Sequence, residues 1–158
     1  MGAPLHLTVS TSLDREHVWS AFTDLENWPK FSPVEKNPRW SGFPWEPGSA
    51  ILARITHPRE LTVRYVLERC DPAQCIRYIG HSDRAGFAFH RQVRFSDSGT
   101  GTEIQVVSYV AAPPSTIRAG ERFVSELTEH WFQGFAAFCD SLHSGVPPVH
   151  PGRDAVTV

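Results

Sequence analysis

Val124, Leu127, Trp131, Phe135, Phe138 and Leu142 recur at intervals of three and four, which lays them along one stripe of a helix. At 1.5 Å per residue, a helix of roughly 25 residues is a rod about 38 Å long, enough to cross a whole domain. A stripe of that length needs a large apolar surface to cover it. Nearly everything between Val34 and Val110 reads as that surface: the segments 34–40, 49–57, 61–69, 75–80, 87–95 and 102–110 suit strands. Turn chemistry separates them, at Pro47-Gly48, Pro58-Arg59, Asp71-Pro72, the loop from Ser82 to Gly86, and Ser98-Gly-Thr-Gly101. Strands at such regular spacing form an antiparallel meander. Pro38 marks the first of them as an edge or bulged strand.

The N-terminal part is shorter and mixed. Leu5, Leu7 and Val9 alternate with polar residues and predict a strand. Ser12 is the expected N-cap of a first helix, with Asp14 and Glu16 placing negative charge in its first turn. Val18, Trp19, Phe22 and Leu25 give that region an apolar face, and the helix is expected to end near Asp24. Leu25 to Trp28 reads as a second, very short helix stopped by Pro29. Gly145 and Pro147-Pro148 end the long helix, so residues 1–145 are read as a single domain and 146–158 as a Pro-rich tail.

One strand, two short helices, six strands and a long helix follow the order of the START/Bet v 1-like (SRPBCC) superfamily, which this chain resembles over roughly residues 4 to 143. The motifs that carry the resemblance are Val18-Trp19, Asp24 with Trp28-Pro29, Pro47-Gly48, Asp71-Pro72 before Ile76 and Tyr78, and Gly101-Thr102-Glu103-Ile104. The nearer likeness is to the polyketide cyclase/dehydrase-like branch. The resemblance implies an α+β helix-grip fold, a curved seven-stranded antiparallel sheet wrapped around the C-terminal helix, with an apolar cavity between them.

The 158 residues carry a net charge of −2 with no Lys/Arg block, which argues against nucleic acid as a partner. The apolar runs are too short to span a bilayer, so no membrane insertion is expected. The N-terminus lacks the regions of a signal peptide, and the chain is read as cytoplasmic. Cys70, Cys75 and Cys139 are read as free thiols, although Cys70 and Cys75 flank a turn and lie where they could approach each other. No Cys/His spacing suggests a metal, and no dinucleotide, phosphate-loop or nucleophile-elbow motif occurs. Neither a metal nor a cofactor is expected, and the chain is read as a monomer or homodimer.

A sheet curved round a helix has a wet convex face and a dry concave one, so period two assigns the cavity walls. Leu61, Val63, Tyr65 and Leu67 fall on the inner face, as do Ile76, Tyr78 and Gly80, and Ile51, Ala53 and Ile55 with His57 at the open end. On the wet face this sets Arg77 across from Glu68. Phe87, Phe89, Arg91, Val93 and Phe95 share one face, and Ile104, Val106, Ser108 and Val110 another. Arg91 and Ser108 are thus polar residues among apolar ones, expected to pair across adjacent strands. These inner faces offer no acidic residue. Arg91 therefore either binds an oxygen of a guest molecule or escapes to the rim or a loop carboxylate.

His130, three residues after Leu127 and beside Trp131, is the second candidate, a general acid or base above a gap left by Gly134. Its alternative is a flank histidine bonded to the sheet. His81 and His90 are read as surface residues, and Tyr65 and Tyr78 as inward hydroxyls. Trp28, Phe31, Trp40, Phe43 and Trp45 form either an aromatic lid or ordinary loop packing.

The expected site thus has Arg91, His130 and Tyr78 as catalytic groups and Trp28, Phe31, Tyr65, Phe87, Phe89, Ser108, Leu127, Trp131 and Gly134 around the substrate. The resemblance implies a hydrophobic, aromatic or polyketide-like ligand and cofactor-independent cyclisation and dehydration. The alternative is a carrier or sensor of a lipid, quinone or other hydrophobic metabolite. A protein-partner role rests on fold analogy alone.

Overall fold

The computed structural model describes residues 3–32, 35–56, 60–82 and 86–145. Its strands are β1 (Leu5–Thr11), β2 (Glu35–Ser41), β3 (Ala50–Ile55), β4 (Leu61–Asp71), β5 (Cys75–His81), β6 (Ala88–Ser98) and β7 (Gly101–Ala111). They form one antiparallel sheet of order β1-β7-β6-β5-β4-β3-β2, so the first strand sits beside the last and the meander runs out to β2. The helices are α1 (Arg15–Thr23), α2 (Trp28–Phe31) and α3 (Ile117–Ser144), with a 3₁₀ turn over Leu25–Asn27. Among the described residues no helix is long and apolar enough to cross a membrane.

Alternation of burial follows the period-two reading. Leu61, Val63, Tyr65 and Leu67 are buried on β4, and Phe89, Arg91, Val93 and Phe95 on β6. Ile104, Val106, Ser108 and Val110 continue the same face on β7. Against this face α3 buries Val124, Thr128, Phe132, Phe135, Phe138 and Cys139. The buried stripe is therefore rotated toward Thr128 and Phe132 relative to the one expected, and Leu142 lies at 52% exposure. Gly145 ends α3 in the left-handed conformation, at φ 73°. Asp140 pins the far end of the rod to β1, accepting hydrogen bonds from the Thr11 hydroxyl at 2.7 Å and the Ser12 amide at 2.8 Å.

That contact explains a correction at α1. Ser12 is engaged with α3, and the N-cap is Asp14, whose carboxylate accepts from the His17 amide at 3.3 Å. A second correction concerns Pro29, which occupies the first turn of α2. No helical N–H is needed there, so proline opens this helix instead of stopping it.

Two bulges move side chains off the simple alternation. In β4 the register shifts between Leu67 and Arg69, so Arg77 faces Arg69 and not Glu68. Glu68 instead lies 3.7 Å from His90, and Arg77 donates to Gln92 at 3.1 Å. In β2 the shift falls between Lys36 and Arg39, beside Pro38, with Asn37 at φ 51°. Cys70, Cys75 and Cys139 are all free thiols; in the register Cys70 faces Ile76, and Cys75 faces Asp71. The tail over 146–158, Val34 and His57 with the Pro58-Arg59 turn lie outside the described residues.

Candidate functional site

Between α3 and the concave face of the sheet lies a cavity of about 50 Å³. That is space for a few water molecules. Its walls are largely aromatic and aliphatic: Phe22, Trp28, Trp45, Phe87, Phe89, Phe123, Leu127 and Trp131 ring it with the inward residues of β3 and β4. Trp131 is the keystone of one wall. Its ring meets Trp28 edge-on at 5.2 Å and Phe31 at 4.8 Å, and stacks on Phe135 at 5.7 Å. Five polar side chains from the sheet, one from the helix and one just after β5 interrupt this apolar lining: Glu35, Tyr65, Tyr78, His81, Arg91, Thr128 and Ser82.

Arg91 is 8% exposed and lies on β6, directly opposite Tyr78 on β5 and Ser108 on β7. Its Nε donates to the Ser108 hydroxyl at 3.1 Å and one terminal nitrogen to the Tyr78 hydroxyl at 3.2 Å. The other terminal nitrogen donates to the Thr128 hydroxyl on α3. The guanidinium also lies 4.6 Å from the centre of the Phe89 ring. No ion pair among the described residues includes Arg91. Among the described residues neither the rim nor a loop carboxylate takes it. Three neutral hydroxyls hold it against the cavity, leaving two of its five N–H groups unassigned.

The second polar centre is one the sequence reading missed. Glu35, at the start of β2, is 4% exposed and lines the cavity. Its Oε2 accepts a hydrogen bond from the Tyr65 hydroxyl at 2.9 Å, while Oε1 is buried without a partner. Burial pushes this carboxyl up to about 7. The Tyr65 hydrogen bond, the nearby Trp131 indole and the charge of Arg91 offset only part of that effect. Burial likewise raises Tyr65 well above the ordinary phenol value, with the Glu35 charge adding to it. Tyr78 is raised by burial too, partly offset by the Arg91 charge and hydrogen bond.

The expected site is thus partly assembled and partly replaced. Arg91, Tyr78, Tyr65, Trp28, Phe87, Phe89, Leu127 and Trp131 come together around one cavity. Ser108 stands behind Arg91 as its anchor and does not line the space. His130 is half-buried on the flank of α3 and is not among the lining residues, because Thr128 and Trp131 occupy the inward turns. Gly134 opens no gap: a Cβ there would lie 2.7 Å from the Phe31 carbonyl oxygen, so the glycine permits α2 to press on α3. Phe31, at 1% exposure, is buried beneath Trp131, Phe135 and Phe138 and does not face the cavity. His81, read as a surface residue, lines the cavity instead.

Of the aromatic group after Trp28, Trp45 reaches the cavity and donates its indole N–H to the Thr23 carbonyl at 3.0 Å. Trp40 packs edge-on against it at 4.8 Å, whereas Phe43 is 74% exposed.

Solved structures with this architecture place it firmly. The protein CV1439 from Chromobacterium violaceum matches with a TM-score of 0.70 at 16% identity, over 89% of this chain and 99% of its own. Ara h 8.0201 matches at 0.72 and 12% identity, over 88% and 98%. The di-domain ARO/CYC StfQ from the steffimycin biosynthetic pathway matches at 0.74 and 13% identity, over 89% of this chain and 51% of its own. This chain therefore corresponds to about half of StfQ. No protein-family model matches the sequence, and no curated protein matches it. Together with the order of elements, these likenesses establish the START/Bet v 1-like helix-grip fold, a sheet closed on a long helix around an apolar interior.

Proposed function

We propose that the cavity binds a hydrophobic small molecule, aromatic or polyketide-like and bearing oxygen, and catalyses its cyclisation and dehydration without a cofactor. The observation that carries this reading is Arg91, a buried cation turned toward apolar walls with hydroxyls, and no carboxylate, as its partners. A guanidinium so placed has no ion-pair partner among the described residues and can serve an oxygen of the guest. Its two unassigned N–H groups suit a carbonyl that becomes an enolate, where charge develops only during reaction. The Tyr78 hydroxyl accepts from Arg91 and so keeps its own proton to donate to the same oxygen. The aromatic walls would hold a flexible chain folded, and bringing reacting carbons together supplies several kcal/mol of the barrier. The naming of StfQ as an ARO/CYC protein of a biosynthetic pathway supports the same chemistry on this fold.

A cavity of about 50 Å³ admits such a guest only when the aromatic walls move apart. Native mass spectrometry of the purified protein is the direct test of occupancy. It is expected to reveal a co-purified, oxygenated aromatic molecule released by denaturation. Arg91→Met then separates turnover from storage. Loss of at least about 100-fold in rate, with binding retained, is expected for an enzyme. The largely apolar lining favours a second reading, a carrier, and unchanged behaviour of Arg91→Met would select it.

A further inference from the structure

The cavity's other polar centre has no role in that scheme. Glu35, 4% exposed, lines the cavity and has one buried carboxylate oxygen without a hydrogen-bond partner, and the Arg91 guanidinium lines the same space. Leaving a buried oxygen unpaired is costly, so such an atom is either strained or reserved for a ligand. Four side chains with polar atoms face this carboxyl from the elements around it: Tyr65 on β4, Tyr78 on β5, Arg91 on β6 and Trp131 on α3. Tyr65 donates to the other oxygen at 2.9 Å, and the Trp131 indole N–H lies near enough to favour the ionised carboxylate without completing a well-formed hydrogen bond to Oε1. Glu35 and Arg91 therefore share the cavity and feel each other's charge without forming an ion pair.

We propose that Glu35 is the catalytic acid–base of the cavity, and that with Arg91 it selects guests carrying a hydroxyl donor on one side and a carbonyl acceptor on the other. This rests on the ligand-binding reading given above. A β-hydroxyketone meets both demands. With its carbonyl oxygen on Arg91, Glu35 Oε1 removes the proton from the carbon between the two functional groups. The C–H electron pair becomes the enolate, whose charge Arg91 and Tyr78 stabilise. Collapse of the enolate forms the C=C bond and breaks the C–O bond, and the departing hydroxyl takes the proton back from Glu35 and leaves as water. One molecule of enone and one of water form from one β-hydroxyketone, with no oxidant or reductant. A carboxyl poised near neutrality can both take and return that proton, and Tyr65 orients it.

Two measurements test the assignment. The first is calorimetric binding of 4-(hydroxymethyl)acetophenone, 4-(methoxymethyl)acetophenone and acetophenone between pH 5 and 9, to the wild type, Glu35→Gln and Tyr65→Phe. Wild type is expected to prefer the hydroxyl compound at least tenfold, with the preference growing above pH 7 and its pH dependence absent in Glu35→Gln. The second is dehydration of 3-hydroxy-1-phenylpropan-1-one to phenyl vinyl ketone, followed by absorbance. Glu35→Gln is expected to lower kcat at least 100-fold while still binding acetophenone. Tyr65→Phe is expected to shift the pH midpoint of kcat without removing activity. If all three ketones bind equally and Glu35→Gln changes nothing, the role of Glu35 is overturned while the cavity reading stands. If none binds, both fall.

Discussion

Arg91 and Glu35 are two buried charges in one cavity that do not neutralise each other. Burial, and not a neighbouring charge, dominates the shift of Glu35, which places its carboxyl at about 7 despite the charge of the Arg91 guanidinium in the same cavity. The consequence for stability has a definite sign. The folded protein holds this proton more tightly than the unfolded chain, so the stability belonging to the protonated form is complete below pH 4.5. It is lost as pH rises from 4.5 through 7 and then levels off. The difference between 4.5 and about 7 corresponds to roughly 3 kcal/mol. Urea unfolding of the wild type from pH 4 to 9 should show this loss, and Glu35→Gln should flatten it. Thr128 belongs to the same scale. Its hydroxyl is a helix-borne partner of Arg91, and Thr128→Val leaves a guanidinium N–H unpaired in the interior. A loss of about 1–3 kcal/mol in urea unfolding is expected, largely absent when Arg91→Met is already present.

At the level of elements, two glycines are places where backbone or ring comes too close for a side chain. Gly134 lets α2 lie against α3, and a Cβ there would stand 2.7 Å from a backbone oxygen that cannot swing away. Gly134→Ala should therefore cost about 1–3 kcal/mol on thermal unfolding, although alanine in an exposed helix would gain about 1 kcal/mol. Gly80 on β5 lies under the Phe89 ring, whose nearest atom would be 2.3 Å from an added Cβ. Phe89 borders both the cavity and Arg91. Gly80→Ala should push that ring into the cavity and weaken acetophenone binding with a smaller loss of stability, which calorimetry and urea unfolding would separate.

The whole molecule is a cup closed by a rod, and its interior is nearly filled by its own aromatic rings. The remaining 50 Å³ is too little for a polyketide-like guest, so uptake must move Trp131, Phe123 or Phe87 outward together with their neighbours. Filling the space from within should oppose that movement. Leu127→Phe is expected to leave urea stability unchanged or raise it by up to about 1 kcal/mol, while abolishing binding of 4-(hydroxymethyl)acetophenone. Retained binding in that variant would mean that guests do not enter between α3 and the sheet.

Much of this architecture was legible in periodicity. A spacing of three and four cannot be satisfied by a strand, nor alternation by a helix, so the rod, the meander and the inward faces of β3 to β7 followed from the order of residue types. That reading located Arg91 and its pairing with Ser108, because both stand at inward positions of regular strands in register. Glu35 escaped it for a local reason. Glu35 and Trp40 stand opposite the inward Ile55 and Ile51, although five positions separate them, an odd step that regular alternation forbids. The bulge at Asn37 and Pro38 absorbs the extra residue and turns both inward. His130 failed for the opposite reason: helical spacing gives the side of the rod but not which of several adjoining residues the sheet covers.

Taken alone, then, the order of side chains along the chain determines which surfaces must be buried, since apolar area is withdrawn from water whatever the partner. Which polar groups meet inside was decided only by tertiary structure. Their encounter depends on a bulge in an edge strand, the rotation of one helix and the reach of a few side chains, none of which repeats along the sequence.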